Sequence, residues 1–171
     1  VKFKSRKQTT MSWKERLDNP TLSVWPHDYL RPHAEPFVEQ GTYSISIPQL
    51  SGDYATLLAA WTALLYRVTG DDDIVLYVRD NKVLRFTITP ELTFTQLQNK
   101  INEQLAELAN VEGTNFDALS ESLQKESGLE RPPQLFRIAC VTEDLQLDRY
   151  THSPLDIGLQ LHESSSDVSI V

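Results

Sequence analysis

The fold is decided by the stretch from Tyr54 to Val78, which reads YATLLAAWTALLYRVTGDDDIVLYV. Apolar residues recur at helical spacing as far as Val68, and Gly70 is of the residue type that commonly ends a helix. After three aspartates, Ile74–Val78 is an uninterrupted apolar run, which is typical of a strand covered on both faces. The stretch therefore predicts a helix that is followed at once by a central strand of a layered α/β domain.

The predicted helix has a broad apolar surface. Ser51 or Asp53 can cap its first turn. The apolar positions are Tyr54, Leu57, Leu58, Trp61, Leu64, Leu65 and Val68, and alanines widen the stripe. We therefore predict that the helix is buried on most sides. Trp61 and Tyr66 could alternatively line a ligand groove, but a helix this apolar favours core packing for both.

Alternating patterns predict further strands near this stretch. In Thr42–Pro48 (TYSISIP) apolar and polar residues alternate, which is the period of a half-buried strand. Asn81–Thr89 reads as another strand. Asp80-Asn81 is a turn-forming pair that would join this strand to Ile74–Val78. Strands are thus expected both before and after the first helix along the chain.

The second half of the chain predicts two helices and then more strands. Thr93 and Gln96 form a capping box that opens a helix with an apolar stripe. A shorter helix, FDALSESLQKE, is expected to end near Gly128. Gln134–Asp144 reads as a strand, and so does DVSIV at the end of the printed sequence. Between these two, LDIGLQLHE predicts a strand with Leu155, Ile157, Leu159 and Leu161 on one face and Asp156, Gln160 and His162 on the other.

Composition excludes several classes of protein. The net charge is −8, and beyond the first ten residues 12 basic side chains face 24 acidic ones, so binding to phosphate backbones is disfavoured. No apolar run approaches the ~20 residues that span a bilayer, and no signal peptide is recognisable. The single cysteine, Cys140, cannot form an internal disulfide. We therefore expect a cytoplasmic protein that binds neither nucleic acid nor membrane.

The chain divides into three expected segments. Residues 1–10 carry four basic residues and no acid, and Met11 follows them, so we expect upstream or disordered sequence there, with a basic targeting arm as the alternative. Residues 11–41 read as a proline-rich extended arm that lies over a hydrophobic surface. Residues 42–171 are expected to form one incomplete lobe, because a domain rarely ends within a strand.

The order of elements in Thr42–Val171 resembles the C-terminal lobe of nonribosomal-peptide condensation domains. The quoted motifs are YSISIP, the helix with TGDDDIV, LTFTQLQNKINEQLAEL, NFDALSESL, LERPPQLFRIACVTE and SPLDIGLQL. The resemblance implies one lobe of the chloramphenicol-acetyltransferase-like fold, a layered α/β (α+β) sandwich, here truncated at its C-terminus.

A narrower resemblance includes the lead-in arm. LDNPTLSVWPHDYLRP, together with LLYRVTGDDDIVLYV, NKVLRF and LERPPQLFR, looks like the amino-terminal region of fungal α-aminoadipate reductases, a family of lysine-biosynthesis enzymes. The resemblance implies a full-length oxidoreductase that adenylates aminoadipate, loads it on a carrier and reduces it to the semialdehyde. ATP, Mg, phosphopantetheine and NADPH would serve domains that follow this segment, and the following adenylation domain would be its partner. No cofactor is assigned to the segment itself.

The residues do not predict a catalytic site within this chain. Condensation domains take their histidine base from an H-H-x-x-x-D-G loop, and this sequence has no His-His pair. The segment YVRDNKVLRF also runs almost directly into the next strand, so we expect the family's long crossover to be deleted here. We therefore predict a non-catalytic accessory lobe. The alternative is half of a condensation or acyltransferase enzyme whose histidine motif lies on missing sequence. The histidines outside that pattern are His27, His33, His152 and His162.

Other candidate sites are weak. The sequence has no G-x-G-x-x-G and no G-x-x-x-x-G-K-[ST], which would cradle phosphates. Asp71–Asp73 could hint at a cation site, but adjacent carboxylates after a glycine favour a solvated turn. His152 and His162 lack the spacing of zinc ligands, and His162 is expected to face solvent. Cys140, in an apolar strand, favours a small buried hydrophobe over a catalytic thiol. We thus predict no catalytic, cofactor-binding or metal-binding residue in this chain.

Overall fold

The computed structural model describes residues 13–26, 43–46, 53–142, 155–161 and 167–170 of this chain. In these ranges one sheet holds six strands, β1 Tyr43–Ser46, β2 Asp73–Val78, β3 Lys82–Thr87, β4 Ile138–Val141, β5 Ile157–Leu161 and β6 Asp167–Ile170. Three helices accompany them, α1 Tyr54–Thr69, α2 Phe94–Ala109 and α3 Phe116–Ser127. The strand order is β1-β6-β5-β4-β2-β3. The pairs β2–β4 and β4–β5 are parallel and the other pairs are antiparallel, so the sheet is mixed.

Helix α1 begins and ends as its sequence predicts. The Asp53 side chain accepts a hydrogen bond from the Thr56 N–H at 2.8 Å, which satisfies one of the unpaired donors of the first turn. Gly70 has a φ of 77°, and its N–H donates to the Tyr66 carbonyl at 3.0 Å. A left-handed residue is accessible to glycine at no steric cost. The chain therefore reverses at Gly70 and enters β2, whose residues 74–78 are all buried.

The prediction that α1 is buried on most sides is wrong for one face. Leu64 and Val68 are 44% and 38% exposed. The buried face carries Ala55, Leu58, Ala59, Trp61, Thr62 and Leu65. Thr62 can occupy this face because its hydroxyl donates to the Leu58 carbonyl at 2.7 Å. Periodicity overestimated the contact surface because Leu64 and Val68 fit the same apolar stripe as the core residues, while the described packing covers only one side of the helix.

The strands β2 and β3 form the hairpin that Asp80-Asn81 predicts. These residues have φ values of 62° and 54°, in the left-handed region that Asp and Asn tolerate better than other side chains. The register pairs Leu76 with Leu84 and continues past the strands, where the Ile88 N–H donates to the Asp72 carbonyl at 2.7 Å. The hairpin thus carries β3 to one edge of the described sheet.

A loop after α2 packs directly on the hairpin turn. The Thr114 N–H donates to the Asn81 carbonyl at 3.0 Å. A Cβ atom at Gly113 would lie 2.1 Å from the Asp80 carbonyl oxygen, far inside van der Waals contact. Gly113 therefore permits the backbones of the loop and the turn to approach each other.

Replacing Gly113 by alanine is expected to destabilise the protein by about 1–3 kcal/mol, the usual cost of overpacking. The new methyl group would meet a backbone oxygen, which cannot move aside as a flexible side chain can. Urea denaturation measures the effect. Gly128→Ala serves as the comparison, because Gly128 has a φ of 64° but no atom within 4 Å of an added Cβ. A smaller loss at Gly113 than at Gly128 would contradict the close approach.

The sheet is covered on both faces. The Tyr77 ring of β2 contacts Phe116 of α3 with ring centroids 6.2 Å apart, and it contacts Phe136 at 5.3 Å. Because side chains alternate along a strand, Ile74 and Leu76 project to the opposite face. There α1 contacts β2 and α2 contacts β3. The predicted layered α/β arrangement is confirmed.

The remaining helices have well-defined capping residues, of which the Thr93–Gln96 box and Gly128 are predicted from the sequence. Both hydrogen bonds of the capping box between Thr93 and Gln96 are present at the start of α2. Asn115 caps α3, and Gly128 ends it with a φ of 64°. Leu97, Ile101 and Leu108 are the buried residues of α2, as its apolar stripe predicts, whereas Phe94 is 46% exposed.

Two predictions in the last third need correction. The strand predicted over Gln134–Asp144 is only Ile138–Val141, although Leu135 and Phe136 before it are buried. The preceding Pro132-Pro133 lacks the N–H donors that a strand ladder needs. Residues 143–144 lie outside the described residues.

Asp156 does not lie on an exposed polar face. Its side chain is 3% exposed, and its Oδ2 lies 3.0 Å from the Arg137 Nε. Its backbone N–H also donates to the Arg137 carbonyl at 2.7 Å. This pairing links the residues that lead into β4 and β5, and it compensates the burial of the carboxylate.

Candidate functional site

An ion pair at the start of the hairpin is the most developed polar feature among the described residues. Arg85 of β3 donates from Nε to Asp73 Oδ1 and from Nη2 to Asp73 Oδ2, both at 2.8 Å. This is the two-point geometry in which a guanidinium matches a carboxylate. The Thr21 N–H donates to the same Asp73 Oδ2 at 3.0 Å. We call Arg85 and Asp73 the clamp.

The clamp holds the amino-terminal segment 13–26 against the sheet. Besides Asp73, the Arg85 guanidinium donates to three main-chain carbonyls, those of Arg16 at 3.2 Å, Asp18 at 2.8 Å and Asn19 at 3.4 Å. Arg85 thus satisfies the last carbonyl of the short helical turn of residues 13–16 and two carbonyls that follow it. The prediction of a solvated Asp71–Asp73 turn is therefore wrong for Asp73.

The clamp also changes the pKa values of its members. Burial by itself would raise the pKa of Asp73, but the hydrogen bonds from Arg85 and Thr21 and the charge of Arg85 outweigh it. The pKa of Asp73 is therefore lower than its ordinary value of 3.8. The hydrogen bond to Asp73 is also the main reason why the pKa of Arg85 is raised.

This shift predicts how the clamp depends on pH. Because the pKa of Asp73 is lower in the folded state than in the unfolded chain, the ionised clamp stabilises the fold above about pH 4. The contribution is lost as the pH falls through the lowered folded value. We expect Asp73→Asn to reduce the melting temperature at pH 7, and we expect the difference between the two proteins to shrink progressively as the pH is lowered below about 4. Melting curves from pH 7 downward test this, and a difference that stays constant as the pH is lowered would contradict it.

Two tryptophans fix the same segment to the core. Trp13 is completely buried, its ring meets Phe116 edge-on at 5.7 Å, and its Nε1 donates to the Glu112 carbonyl at 3.1 Å. Trp25 stacks on Trp61 of α1 at 6.0 Å with an angle of 18° between the rings. The segment 13–26 is therefore packed against the folded core through these rings. The division of the chain at residues 10 and 41 stays a prediction.

A groove of about 540 Å³ lies beside the clamp, at the edge of the sheet. One wall is the amino-terminal segment, through Arg16 and Leu17, and the other wall is α2. The β3 residues between them are Val83, Arg85, Phe86 and Thr87, and α2 contributes Lys100, Glu103, Gln104 and Glu107. We call this the edge groove.

Polar contacts cross the edge groove. Gln104 Nε2 donates to the Arg85 carbonyl at 2.8 Å, so a side chain of α2 satisfies a main-chain acceptor of the edge strand. Arg16 Nη2 lies 3.6 Å from Glu107 Oε2, which joins the two walls. The side chains of Arg16 and Glu107 are 35% and 64% exposed, so this ion pair contributes little to stability.

The residues that the sequence singled out do not form a common site in the described structure. Cys140 of β4 is fully buried, and its burial raises the pKa of its thiol, as expected of a structural cysteine. Trp61 is 5% exposed, which confirms core packing, and Tyr66 is partly buried against the core. All four histidines, His27, His33, His152 and His162, lie outside the described residues.

Within the described ranges, no group of three or more His, Cys, Asp or Glu side chains is placed to hold a metal ion. No helix in those ranges is long and apolar enough to cross a membrane.

Little in the local sequence pattern indicates the clamp or the edge groove. Arg85 interrupts the apolar strand KVLRFT, and a cation in such a strand suggests a specific partner. Its partners are separated from it by 12 residues at Asp73 and by 66 to 69 residues in the amino-terminal segment. Gln104 carries no comparable signal, because a glutamine on a helix surface is ordinary.

Comparison with known proteins shows similarity to L-2-aminoadipate reductases. The chain is 49% identical over 163 residues to L-2-aminoadipate reductase of Saccharomyces cerevisiae. The match covers 90% of this chain and 12% of that protein. No protein-family model matches the chain.

Solved structures give the fold. The condensation domain of the Monacolin K polyketide synthase MokA superposes with a TM-score of 0.66 at 14% identity, covering 96% of this chain and 51% of that domain. The starter condensation domain of the rhizomide synthetase RzmA gives 0.61 at 19% identity, covering 97% and 45%. The chain therefore has the fold of about one half of a condensation domain.

Proposed function

Because the chain is homologous to the N-terminal region of L-2-aminoadipate reductase, we propose that it is a non-catalytic accessory lobe of such an enzyme. The whole enzyme would adenylate aminoadipate, load it on a carrier and reduce it to the semialdehyde. This lobe would pack against the adenylation domain that follows and would stabilise or position it. The observation that carries the proposal is the 49% identity along 90% of the chain.

The built features of the lobe support a packing role. In the clamp, Arg85 donates its hydrogen bonds to Asp73 and to main-chain carbonyls of this chain. The thiol of Cys140 is buried. The sequence has no H-H-x-x-x-D-G motif to act as a base. The contacts of the clamp thus hold segments of this chain together.

An exposed apolar face supports a partner domain. Leu64 and Val68 lie one turn apart on α1 and are exposed, and Ala60 is exposed one turn earlier. A helix that is apolar on nearly all sides is usually buried on nearly all sides. The chain spans only 12% of the length of this relative, so in a full-length enzyme of that kind another domain would be available to cover this face.

The cofactors of the reaction would act outside this lobe. ATP, Mg, phosphopantetheine and NADPH need phosphate-binding loops, a carrier serine or metal ligands on other domains. The sequence lacks both common phosphate-loop motifs. The whole enzyme would work in the cytoplasm, where a protein with one unpaired, buried cysteine is stable.

Deleting this lobe from the full-length enzyme tests the proposal. We expect a lower soluble yield and faster loss of aminoadipate adenylation on warming, because the partner domain would lose a packing surface. Full solubility and full, equally durable activity without the lobe would contradict the proposal.

A second function has one observation in its favour. The fold is that of about half a condensation domain, so the chain could form half of an acyltransferase with a partner lobe that supplies the histidine. Sequencing the adjoining reading frame separates the two. An H-H-x-x-x-D-G segment upstream favours acyl transfer, and an adenylation domain downstream favours the accessory lobe.

A further inference from the structure

We propose that the edge groove takes up an extended segment of the same polypeptide from outside this chain, which adds to β3 as a further strand. This inference rests on the proposed function, since it needs the remainder of a longer enzyme. It names a docking surface different from the exposed face of α1.

The hydrogen-bond pattern of the hairpin shows which groups of β3 point outward. In an antiparallel pair, directly opposed residues alternate between exchanging hydrogen bonds and facing away. The Ile88 N–H donates to the Asp72 carbonyl, so the opposed pair formed by these residues is of the bonded kind. The opposed pairs Val75–Arg85 and Asp73–Thr87 are therefore of the other kind, by the register of the hairpin.

The N–H and C=O groups of Arg85 and Thr87 thus point away from β2. Since β3 is the last strand on this side of the described sheet, these groups point into the edge groove. The contact from Gln104 to the Arg85 carbonyl agrees with this direction. An outward row of main-chain donors and acceptors is what an added strand pairs with.

The length of the edge suits one extended chain. From Val83 to Thr87 the edge is four residue steps, or about 14 Å at ~3.4 Å per residue. The amino-terminal segment lines one side of the groove and α2 lines the other. An extended segment can pair with the outward main-chain groups along this length, whereas the main-chain groups of a helix are already bonded within the helix.

Gln104 marks the position of a pairing strand. Its side-chain amide donates to the Arg85 carbonyl in the direction from which a neighbouring main-chain N–H would come. A primary amide is a close chemical substitute for a peptide N–H. In the proposed complex, the main chain of the added segment replaces Gln104 at this acceptor.

The length of the relative favours an occupant from the same polypeptide. This chain matches 12% of the Saccharomyces cerevisiae enzyme, so most of that enzyme lies outside the matched region. A tethered segment reaches an effective concentration in the millimolar range with a short flexible linker. Main-chain pairing of a few residues is weak between separate molecules. Tethering of this kind would raise the occupancy of the groove enough for such pairing to form.

Hydrogen–deuterium exchange of the full-length enzyme tests the proposal, with Thr87→Pro as the variant and Thr87→Ala as its control. Proline removes the outward N–H of residue 87 but leaves the hydrogen bonds to β2, because position 87 belongs to a non-bonded pair. Alanine removes the exposed side chain and keeps the N–H. We expect Thr87→Pro, and not Thr87→Ala, to speed exchange at least several-fold in one segment outside residues 1–171.

A second variant covers the case in which proline disturbs the hairpin. Gln104→Ala frees the Arg85 acceptor, so we expect slower exchange in that same outside segment. The proposal is overturned if neither variant alters exchange outside residues 1–171, or if the responding segment belongs to this chain or to a second copy. The readout is local protection and not activity. If lobe deletion reduces activity but neither variant alters exchange outside residues 1–171, the proposed function is supported and only this inference is contradicted.

Discussion

Replacing Trp61 by alanine is expected to lower the free energy of unfolding by about 3–5 kcal/mol, the usual loss for truncating a buried Trp. The indole is 5% exposed and stacks on Trp25. The change therefore leaves a cavity beside α1 and removes the ring on which Trp25 of the amino-terminal segment stacks. A loss of this size is a large fraction of the 5–15 kcal/mol that stabilises a typical domain. Urea denaturation at neutral pH measures it.

Trp61→Phe is the matched control. Within the described structure no group accepts a hydrogen bond from the indole Nε1, so phenylalanine gives up no polar contact there. We expect a loss of about 1 kcal/mol, from the smaller apolar area alone. An unchanged denaturation midpoint in Trp61→Ala would show that this helix face is not in the core. Equal losses in both variants would show that the indole N–H has a partner.

Trp13→Ala is expected to have an effect of similar size, about 3–5 kcal/mol, although Trp13 lies in the segment before the first strand. Its ring is fully buried against Phe116, and its Nε1 donates to the Glu112 carbonyl. The substitution therefore removes both the packing and the hydrogen bond that fix residues 13–17 over α3 and the Gly113 loop.

The control here is Lys14→Ala. Lys14 is paired with Glu126 of α3, but both side chains are about half exposed, so we expect a change within about 0.5 kcal/mol. The comparison is read from urea denaturation of the two variants. A loss at Lys14 as large as that at Trp13 would mean that surface charge, and not burial, holds the segment.

The elements with strong local signals could be predicted from the sequence. Asp53 and Gly70 bound α1, Asp80-Asn81 makes the hairpin turn, and the Thr93–Gln96 box opens α2. Each of these depends on residues within a few positions of one another, where hydrogen bonding and backbone preference decide the outcome. The same is true of the apolar run Ile74–Val78 in β2, whose composition predicts cover on both faces.

Features that depend on distant residues could not be predicted in this way. The burial of Trp13 needs α3 and the loop at Glu112, which is 99 residues away. The role of Asp73 depends on Arg85 and Thr21, and local pattern alone gave a solvated turn. The exposure of Leu64 and Val68 depends on which neighbours are present, and a periodic stripe does not contain that information.

The most direct test of a packing role without catalysis is to place Trp13→Ala in the full-length enzyme and to separate kinetics from durability. Adenylation of aminoadipate gives kcat and KM at low temperature, and the half-life of activity on warming gives durability. We expect a half-life shortened several-fold, with kcat and KM unchanged within about twofold. A fall in kcat or a rise in KM at an unchanged half-life would rule out a purely packing role, because the lobe would then take part in the reaction.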